Sequence, residues 1–116
     1  MTNYSISVYT ITMKQKKVNN DNVPTIGEVL ALEFLEPMNI SQNSLAKALN
    51  IPQNRINDII NGKRGVSADT DLRLCKYFGL SDGYFIGLQM DFDRIIAKRK
   101  LIDTLKKITP LKAALV

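Results

Sequence analysis

The sequence contains no histidine, and its 116 residues include a single cysteine, Cys75. These counts exclude serine-protease-type triads, His-ligated zinc, Cys-x-x-Cys redox pairs and an internal disulfide. The carboxylates do not cluster in a way that would replace histidine in a catalytic site. We therefore expect a protein that is not an enzyme and that carries no metal and no cofactor.

Long apolar runs are also missing, since none approaches the roughly 18 to 20 residues needed to cross a bilayer. The first thirteen residues lack the basic start and the compact apolar stretch of a secretory signal. A lone thiol is typical of a cytosolic chain. We expect a cytoplasmic protein that does not interact with membranes, with one domain large enough to bury its own core.

The charge is positive and unevenly distributed. The net charge is +5 and the isoelectric point is about 9.4. Residues 41–67 carry four Lys or Arg against one Asp, and residues 90–116 carry seven against three, whereas residues 26–40 carry three Glu and no cation. A basic chain suits a polyanion such as nucleic acid, because neutralised phosphates release counterions. Many soluble proteins are mildly basic, however, so charge alone does not establish this.

Residues 1–23 are predicted to form an arm outside the core. Tyr4, Ile6 and Val8 alternate with serines, which is the period of a strand. One strand is not stable without a partner edge, so the arm is expected to be disordered or paired with another chain. Met13 is a second candidate for the natural start, which leaves the status of residues 1–12 open.

From Ile26 onward the apolar residues follow the period of a helix, and the fold class expected is all-α, a compact five-helix domain over residues 24–97. The helices are predicted from Ile26 to Pro37, from the cap Ser41 to Asn50, from Pro52 to Gly62, from the cap Ser67 to Gly79, and from Ser81 towards Ile108, before Pro110. Residues 98–116 would form a basic helical extension and tail.

The core and the surface are predicted from the same period. The apolar faces comprise Ile26, Val29, Leu30 and Phe34, then Leu45, Ala46 and Leu49, then Ile56, Ile59 and Ile60, then Ala68, Leu72 and Cys75, then Phe85, Leu88 and Phe92. Cys75 has no basic neighbour on its face and is interpreted as a core residue. The acidic residues Glu28, Glu33, Glu36, Asp69 and Asp71 are interpreted as solvated helix-surface groups.

Two short helices separated by a break at Asn50, Ile51 and Pro52 have the spacing of a helix-turn-helix. Ala46 lies where two crossing helices leave room for little more than a methyl group. Asn50 lies where the backbone must reverse, and Asn tolerates the left-handed conformation that this requires. The agreement of these constraints within twenty residues predicts a helix-turn-helix.

The outward face of the third helix is rich in amides. On a wheel of 100° per residue, Gln53, Asn54, Asn57, Asp58 and Asn61 lie opposite the isoleucines. Asn and Gln match the N7 and N6 edge of adenine in the major groove, and Arg55 could reach phosphate or guanine. The alternative is a merely solvated helix face; the density of amides beside a helix-turn-helix favours base recognition.

Phosphate contacts are predicted on either side of this face. Lys63 and Arg64 follow the helix in a Gly-flanked loop, and Gln42 and Ser44 begin the helix before it. A solvated loop is the alternative for the two cations. The predicted DNA-binding residues are Gln42, Ser44, Gln53, Asn54, Arg55, Asn57, Asn61, Lys63 and Arg64.

The stretch from Pro24 to Ala97 resembles the HigA-type antitoxins of bacterial toxin–antitoxin modules, within the Xre/Cro-like helix-turn-helix class. The resemblance is carried by Ile26-Gly-Glu-Val-Leu30, Leu45-Ala-Lys-Ala-Leu49, Asn61-Gly-Lys-Arg64, Ser67-Ala-Asp-Thr70 and Arg73-Leu74. The chain departs from the family where Thr25-Ile26 replaces a frequent His-Pro pair and Phe85 a frequent Trp. Neither departure touches the predicted DNA face.

The resemblance implies a lambda-repressor-like fold and a homodimer, which the long last helix would help to build. It implies that double-stranded DNA is a partner, as a palindromic operator in the protein's own promoter, with Gln53–Asn61 as the recognition helix. It also implies a second partner, a HigB-like toxin that cleaves messenger RNA and is neutralised by the antitoxin. The alternative is a phage-type or housekeeping Xre-family repressor without a toxin.

Overall fold

A computed structural model describes residues 22–112 of the chain, and in that range every regular element is a helix. The helices are α1 (Ile26–Val29, continued by Leu30–Leu35 and Glu36–Met38), α2 (Gln42–Leu49), α3 (Gln53–Ile60), α4 (Ala68–Phe78), α5 (Tyr84–Lys100) and α6 (Ile102–Lys106). The all-α prediction is confirmed. Most of the predicted arm, residues 1–21, lies outside the described residues, as do residues 113–116.

The first helix, α1, does not end at Pro37 as expected. It begins with a capping box, in which Thr25 and Glu28 each accept the other's backbone N–H at 3.0 and 2.9 Å. Its middle segment, Leu30–Leu35, is π-helical. These wider turns leave space before the Pro37 ring, which in a regular helix would collide with the preceding turn. The helix therefore ends after Met38, where Asn39 is left-handed at φ 55°.

The core forms around the predicted apolar faces of α1, α2, α3 and α5. Val29, Leu30, Leu45 and Ile56 are completely buried. The ring of Phe34 lies 4.9 to 5.9 Å from those of Phe78, Tyr84 and Phe85, so α1, α4 and α5 meet in an aromatic cluster. Val23 is also fully buried, so the core includes a residue just before α1.

The predicted core face of α4 was right for Cys75 and wrong for Ala68 and Leu72. Ala68 and Leu72 are exposed, and the buried residues are Thr70, Asp71, Leu74 and Cys75. Since Asp71 is only 2% exposed, its interpretation as a solvated group was also wrong.

The Asp71 carboxylate caps the next helix, α5. Its oxygens accept the N–H groups of Gly83, Phe85 and Ile86 at 2.7, 3.0 and 2.9 Å. Gly83, the residue before α5, has no side chain to cap the helix itself. A buried carboxylate from α4 satisfies these unpaired amides instead.

The fifth predicted helix is divided in two at Leu101, where φ is −99° and ψ is 10°. Lys98, Arg99 and Lys100 fill the last turn of α5, where cations suit the negative end of the helix dipole. From residue 97 to residue 112 every residue is exposed, so α6 projects beyond the core. None of the described helices is both long enough and apolar enough to cross a membrane.

Candidate nucleic-acid interface

The helices α2 and α3 are joined by a tight turn that fixes their mutual orientation. Asn50 adopts the left-handed conformation, at φ 60° and ψ 49°, and the N–H of Ile51 donates to the carbonyl of Ala46 at 3.0 Å. Ala46 is 2% exposed at the crossing of the two helices. The structure therefore has the helix-turn-helix that the spacing predicts.

The two faces of α3 separate as expected. Ile56 and Ile59 are buried beneath the helix, at 0% and 1% exposure. On the opposite side Gln53, Asn54 and Asn57 are exposed, as is Asn61, which follows the helix. No other described part of the chain covers these amides, so they are open to a ligand.

The amide groups on this face form a hydrogen-bonded chain. Asn57 Nδ2 donates to Gln42 Oε1 at 3.2 Å, and Asn61 Nδ2 donates to Asn57 Oδ1 at 3.1 Å. A carboxamide has two N–H donors and two acceptor lone pairs. The bond to Gln42 uses one of the two N–H donors of Asn57, and the bond from Asn61 uses one of its two lone pairs. Asn57 is thus oriented from both sides and keeps one donor and one acceptor for a base edge.

Arg55 faces away from the amide surface. Its Nη1 lies 3.3 Å from Asp69 Oδ1 at the start of α4, and the same oxygen accepts from Arg73 Nε at 2.7 Å. Arg73 Nη1 in turn donates to the carbonyls of Leu49 and Asn50 at 2.8 and 3.3 Å. This arrangement, the Arg55–Asp69–Arg73 network, connects α3 and α4 to the end of α2 and the turn.

The network acts on the acidity of its central carboxylate. The hydrogen bond from Arg73, followed by the positive charges of Arg73 and Arg55, holds the pKa of Asp69 below its ordinary value. Asp69 is therefore ionised at neutral pH and binds both guanidinium groups. The carboxylate thus has a structural part in the turn region, beyond the solvated role predicted for it.

The two loop cations after α3 differ in their surroundings. Arg64 Nε lies 3.8 Å from Asp58 Oδ2, and both side chains remain partly exposed. Lys63 is exposed and forms no ion pair within residues 22–112. An exposed pair at this distance contributes little to stability, so both cations remain accessible to a polyanion.

The N-terminal end of α2 borders the same surface. Ser41 caps this helix by accepting the N–H of Ser44 at 3.0 Å, and its own hydroxyl donates to the hydroxyl of Ser44 at 3.0 Å. The backbone N–H of Ser44 is therefore occupied, and its hydroxyl is the group left to donate to a phosphate. Gln42 is half-buried and already bonded to Asn57.

The structure brings most of the predicted residues to one surface. Gln42, Ser44, Gln53, Asn54, Asn57, Asn61, Lys63 and Arg64 lie on α2, α3 and the loop that follows. Arg55 lies at the junction with α4. Sequence reasoning missed Asp69 and Arg73, which hold the turn, and Gln89, which bonds the end of the loop.

A metal or thiol site does not compete with this interpretation in residues 22–112. No group of three or more potential metal-ligating side chains occurs there. Cys75 is buried, and burial raises the pKa of its thiol above the ordinary value. The thiol is therefore protonated at neutral pH and unsuited to nucleophilic chemistry.

Comparisons with known proteins agree with this geometry. A family model described as helix-turn-helix matches residues 20–85. Virulence-associated protein I of Dichelobacter nodosus is 42% identical over 73 residues, 63% of this chain and 68% of that protein. Antitoxin HigA-1 of Vibrio cholerae is 30% identical over 92 residues, 78% and 86% of the two chains. The structure of Pseudomonas aeruginosa antitoxin HigA with higBA promoter is 34% identical at a TM-score of 0.70, covering 77% of this chain and 98% of that one.

The matched residues 20–85 contain α2, α3 and the loop with its two cations, and so the whole of the candidate interface. The Vibrio cholerae and Pseudomonas aeruginosa relatives are both named as antitoxins. The chain belongs to the helix-turn-helix family and, within it, to the HigA-type antitoxins.

Proposed function

We propose that this protein is an antitoxin that binds operator DNA as a homodimer, represses its own operon and neutralises a cognate HigB-like toxin that cleaves messenger RNA. The observation that carries the DNA-binding part is the uncovered, pre-oriented amide face of α3 above its buried isoleucines. The related Pseudomonas aeruginosa antitoxin, whose structure includes promoter DNA, supports a duplex as the ligand.

The proposed interface has two kinds of contact. Gln53, Asn54, Asn57 and Asn61 would meet base edges in the major groove, where a carboxamide matches adenine. Gln42, Ser44, Lys63 and Arg64 would meet phosphates and set the register. Arg55 would act mainly through the position of α3, because a contact with guanine requires its ion pair with Asp69 to open.

Dimerisation is supported by the apolar side chains that α5 and α6 leave exposed. Met90 is 61% exposed on α5, and Leu101, Ile102, Leu105 and Ile108 are exposed on and around α6. Burial of such side chains between two copies would remove them from water. Two α3 helices would then enter successive major grooves about 34 to 36 Å apart.

DNA binding is tested by fluorescence anisotropy with duplexes from the protein's own promoter and a shuffled duplex of equal length. We expect binding to the promoter at least about a thousandfold tighter than to the shuffled sequence. Insertion of about five base pairs between the half-sites rotates one half-site by half a helical turn relative to the other. This change should abolish binding by the dimer. Equal affinity for all three duplexes would contradict the proposal.

The toxin partner distinguishes the antitoxin from a repressor of the same family without a toxin. The test is co-expression with the product of the adjacent gene, if that gene encodes a small basic protein. We expect the two to co-purify and the protein to restore growth to cells that produce the toxin. Operator binding without either result would favour the repressor.

A further inference from the structure

The loop that carries Lys63 and Arg64 is held at its beginning by the recognition helix. The backbone N–H groups of both residues donate to the carbonyl of Asp58 in α3, at 2.8 and 3.3 Å. Gly62, just before them, has a φ of 76°, which redirects the chain away from the helix axis. The start of the loop therefore follows α3 wherever that helix lies.

The end of the loop is held by a different element, α5. Gln89 Oε1 accepts the N–H of Val66 at 2.7 Å, and Gln89 Nε2 donates to the carbonyl of the same residue at 2.9 Å. One carboxamide thus satisfies both backbone groups of a residue that is 4% exposed. Leaving these groups unpaired would carry a desolvation cost, so the pair of bonds fixes Val66.

Gly65 permits this contact. A Cβ atom built on Gly65 would lie 2.6 Å from Gln89 Oε1 and 3.2 Å from Gln89 Cδ, both closer than real Cβ atoms normally approach. The backbone of Gly65 is not left-handed, so conformation does not require glycine there. A glycine at position 65 is instead explained by the close approach of the Gln89 amide, which leaves no room for a Cβ atom.

Between its two ends the loop borders an open groove of about 450 Å³. The groove is lined by the loop itself, the start of α1, and Gln89, Phe92 and Ile96 of α5. The loop is therefore not supported by close packing along its whole length. Its position depends on the hydrogen bonds at the two ends and on the packing of the Val66 side chain in the core.

We propose that Gln89 is a positioning residue for DNA binding, which holds the loop so that Lys63 and Arg64 face the phosphates. The inference rests on the proposed DNA-binding function and deepens it, because it makes the phosphate contacts depend on α5. Gln89 would act on affinity for every DNA sequence rather than on discrimination between sequences, since its carboxamide is bonded to Val66 and it would affect the DNA only through the loop.

The test compares Gln89→Ala with Gly87→Ala, an exposed position on the same helix where an added Cβ meets nothing within 4 Å, in titrations with operator and shuffled duplexes at several salt concentrations. We expect Gln89→Ala to weaken binding to both duplexes by roughly three- to tenfold and to lower the salt slope by about one unit. Gly87→Ala should leave the slope unchanged. Gln89→Met, which keeps the side-chain length but loses both hydrogen bonds, should behave as Gln89→Ala.

A double-mutant cycle tests the contact itself. Gly65→Ala should displace the Gln89 amide and weaken binding in the native background, but should have no further effect beside Gln89→Ala. Hydrogen exchange at the Val66 amide should accelerate in all Gln89 variants. Additive losses in the cycle would overturn the proposal.

The outcomes distinguish a failure of the role proposed for Gln89 from a failure of the proposed DNA binding. Native protein that binds DNA, together with a folded Gln89→Ala variant whose salt slope is unchanged, would overturn the role of Gln89 and leave the proposed function standing. Native protein that binds neither duplex would overturn both.

Discussion

At the scale of single residues, Asn57 is the side chain whose surroundings best fit base recognition. It is bonded to Gln42 on one side and Asn61 on the other, so its amide plane is set before DNA arrives. Less conformational entropy is then lost on binding than for a free side chain. Specificity at one base position should therefore depend on this residue.

The first prediction concerns Asn57→Ala. This change should lose about 1 to 3 kcal/mol of discrimination between the operator and a variant with the contacted base pair replaced, because a bidentate amide contact disappears. Anisotropy titrations with both duplexes and with a shuffled one provide the measurement. Affinity for the shuffled duplex should persist; equal weakening on all three would count against the assignment.

The second prediction concerns Asp69, whose pKa is lowered by Arg73 and Arg55. A lowered folded pKa stabilises the protein above the unfolded value of about 3.9, and this contribution is lost as pH falls through the folded pKa. Asp69→Asn should therefore be less stable than the native protein at pH 7. The two free energies of unfolding should converge as the pH is lowered below about 3.9.

Urea denaturation across this pH range measures the difference. Asp91→Asn is a matched control, since Asp91 forms an exposed ion pair with Arg94 on α5, away from the turn. A difference between Asp69→Asn and the native protein that stays constant down to the lowest pH would contradict the electrostatic account.

At the scale of helices, α1 and α3 pack unusually closely. A Cβ atom on Gly27 would collide with the carbonyl oxygen of Ile59, and it would lie 2.9 Å from that of Ile60. Both oxygens belong to the backbone at the end of the recognition helix, so no side-chain rotation relieves the collision. The close approach of α1 therefore helps to set the position of α3.

The third prediction compares two glycine substitutions. Gly27→Ala should lower the free energy of unfolding by about 1 to 3 kcal/mol through overpacking. Gly87→Ala, on α5, meets nothing within 4 Å and should raise it by about 0.5 to 1 kcal/mol, because alanine favours the helix. Thermal and urea unfolding of both variants measure the changes. A neutral Gly27→Ala would disprove the tight contact.

The helices also show what local sequence determines. The caps Ser41 and Ser67, the turn residue Asn50 and the apolar stripes of α2 and α3 act within a few residues, so the sequence predicted these elements. The break at Leu101 was not predicted, because neither Gly nor Pro occurs there. The passage of α1 through Pro37 was missed because π-helical turns have no simple signature.

Contacts between distant residues explain the remaining errors. Asp71 finds its amide partners 12 to 15 residues away, and Gln89 bonds a residue 23 positions earlier. A carboxylate in the first turn of a helix is ordinarily solvated, so nothing near Asp71 indicates burial. Its burial also rotated the core face of α4 from the one that Leu72 suggested. The helix spacing in the sequence predicted most residues of the candidate site, but it did not predict the contacts that hold those residues in place.

At the scale of the whole molecule, the projecting helix α6 carries apolar side chains that the described domain does not bury. Leu101, Ile102, Leu105 and Ile108 are 42% to 61% exposed. These four residues are close together in the sequence, and clustered exposed apolar side chains mark interaction surfaces. This exposure supports a dimer that the end of the chain helps to hold.

The fourth prediction is that Ile102→Asp with Leu105→Asp shifts the protein from dimer to monomer. Two buried charges would oppose association, because removing them from water is costly. Sedimentation velocity over a range of concentrations measures the change in mass. Thr104→Asp, in the same helix and also exposed, is the control and should remain dimeric. An unchanged mass in the double variant would place the interface elsewhere.

The link between Gln42 and Asn57 crosses from α2 to α3 and so joins the two halves of the helix-turn-helix. Transplanting residues 53–61 into another scaffold would remove the acceptor that orients Asn57 on one side and leave only the bond from Asn61 to hold its carboxamide. Such a chimera should keep the contact between Asn57 and a base edge but should lose part of its selectivity between operator sequences. We therefore expect operator preference to depend on both helices together, and to be exchanged between relatives only when the pair is grafted together.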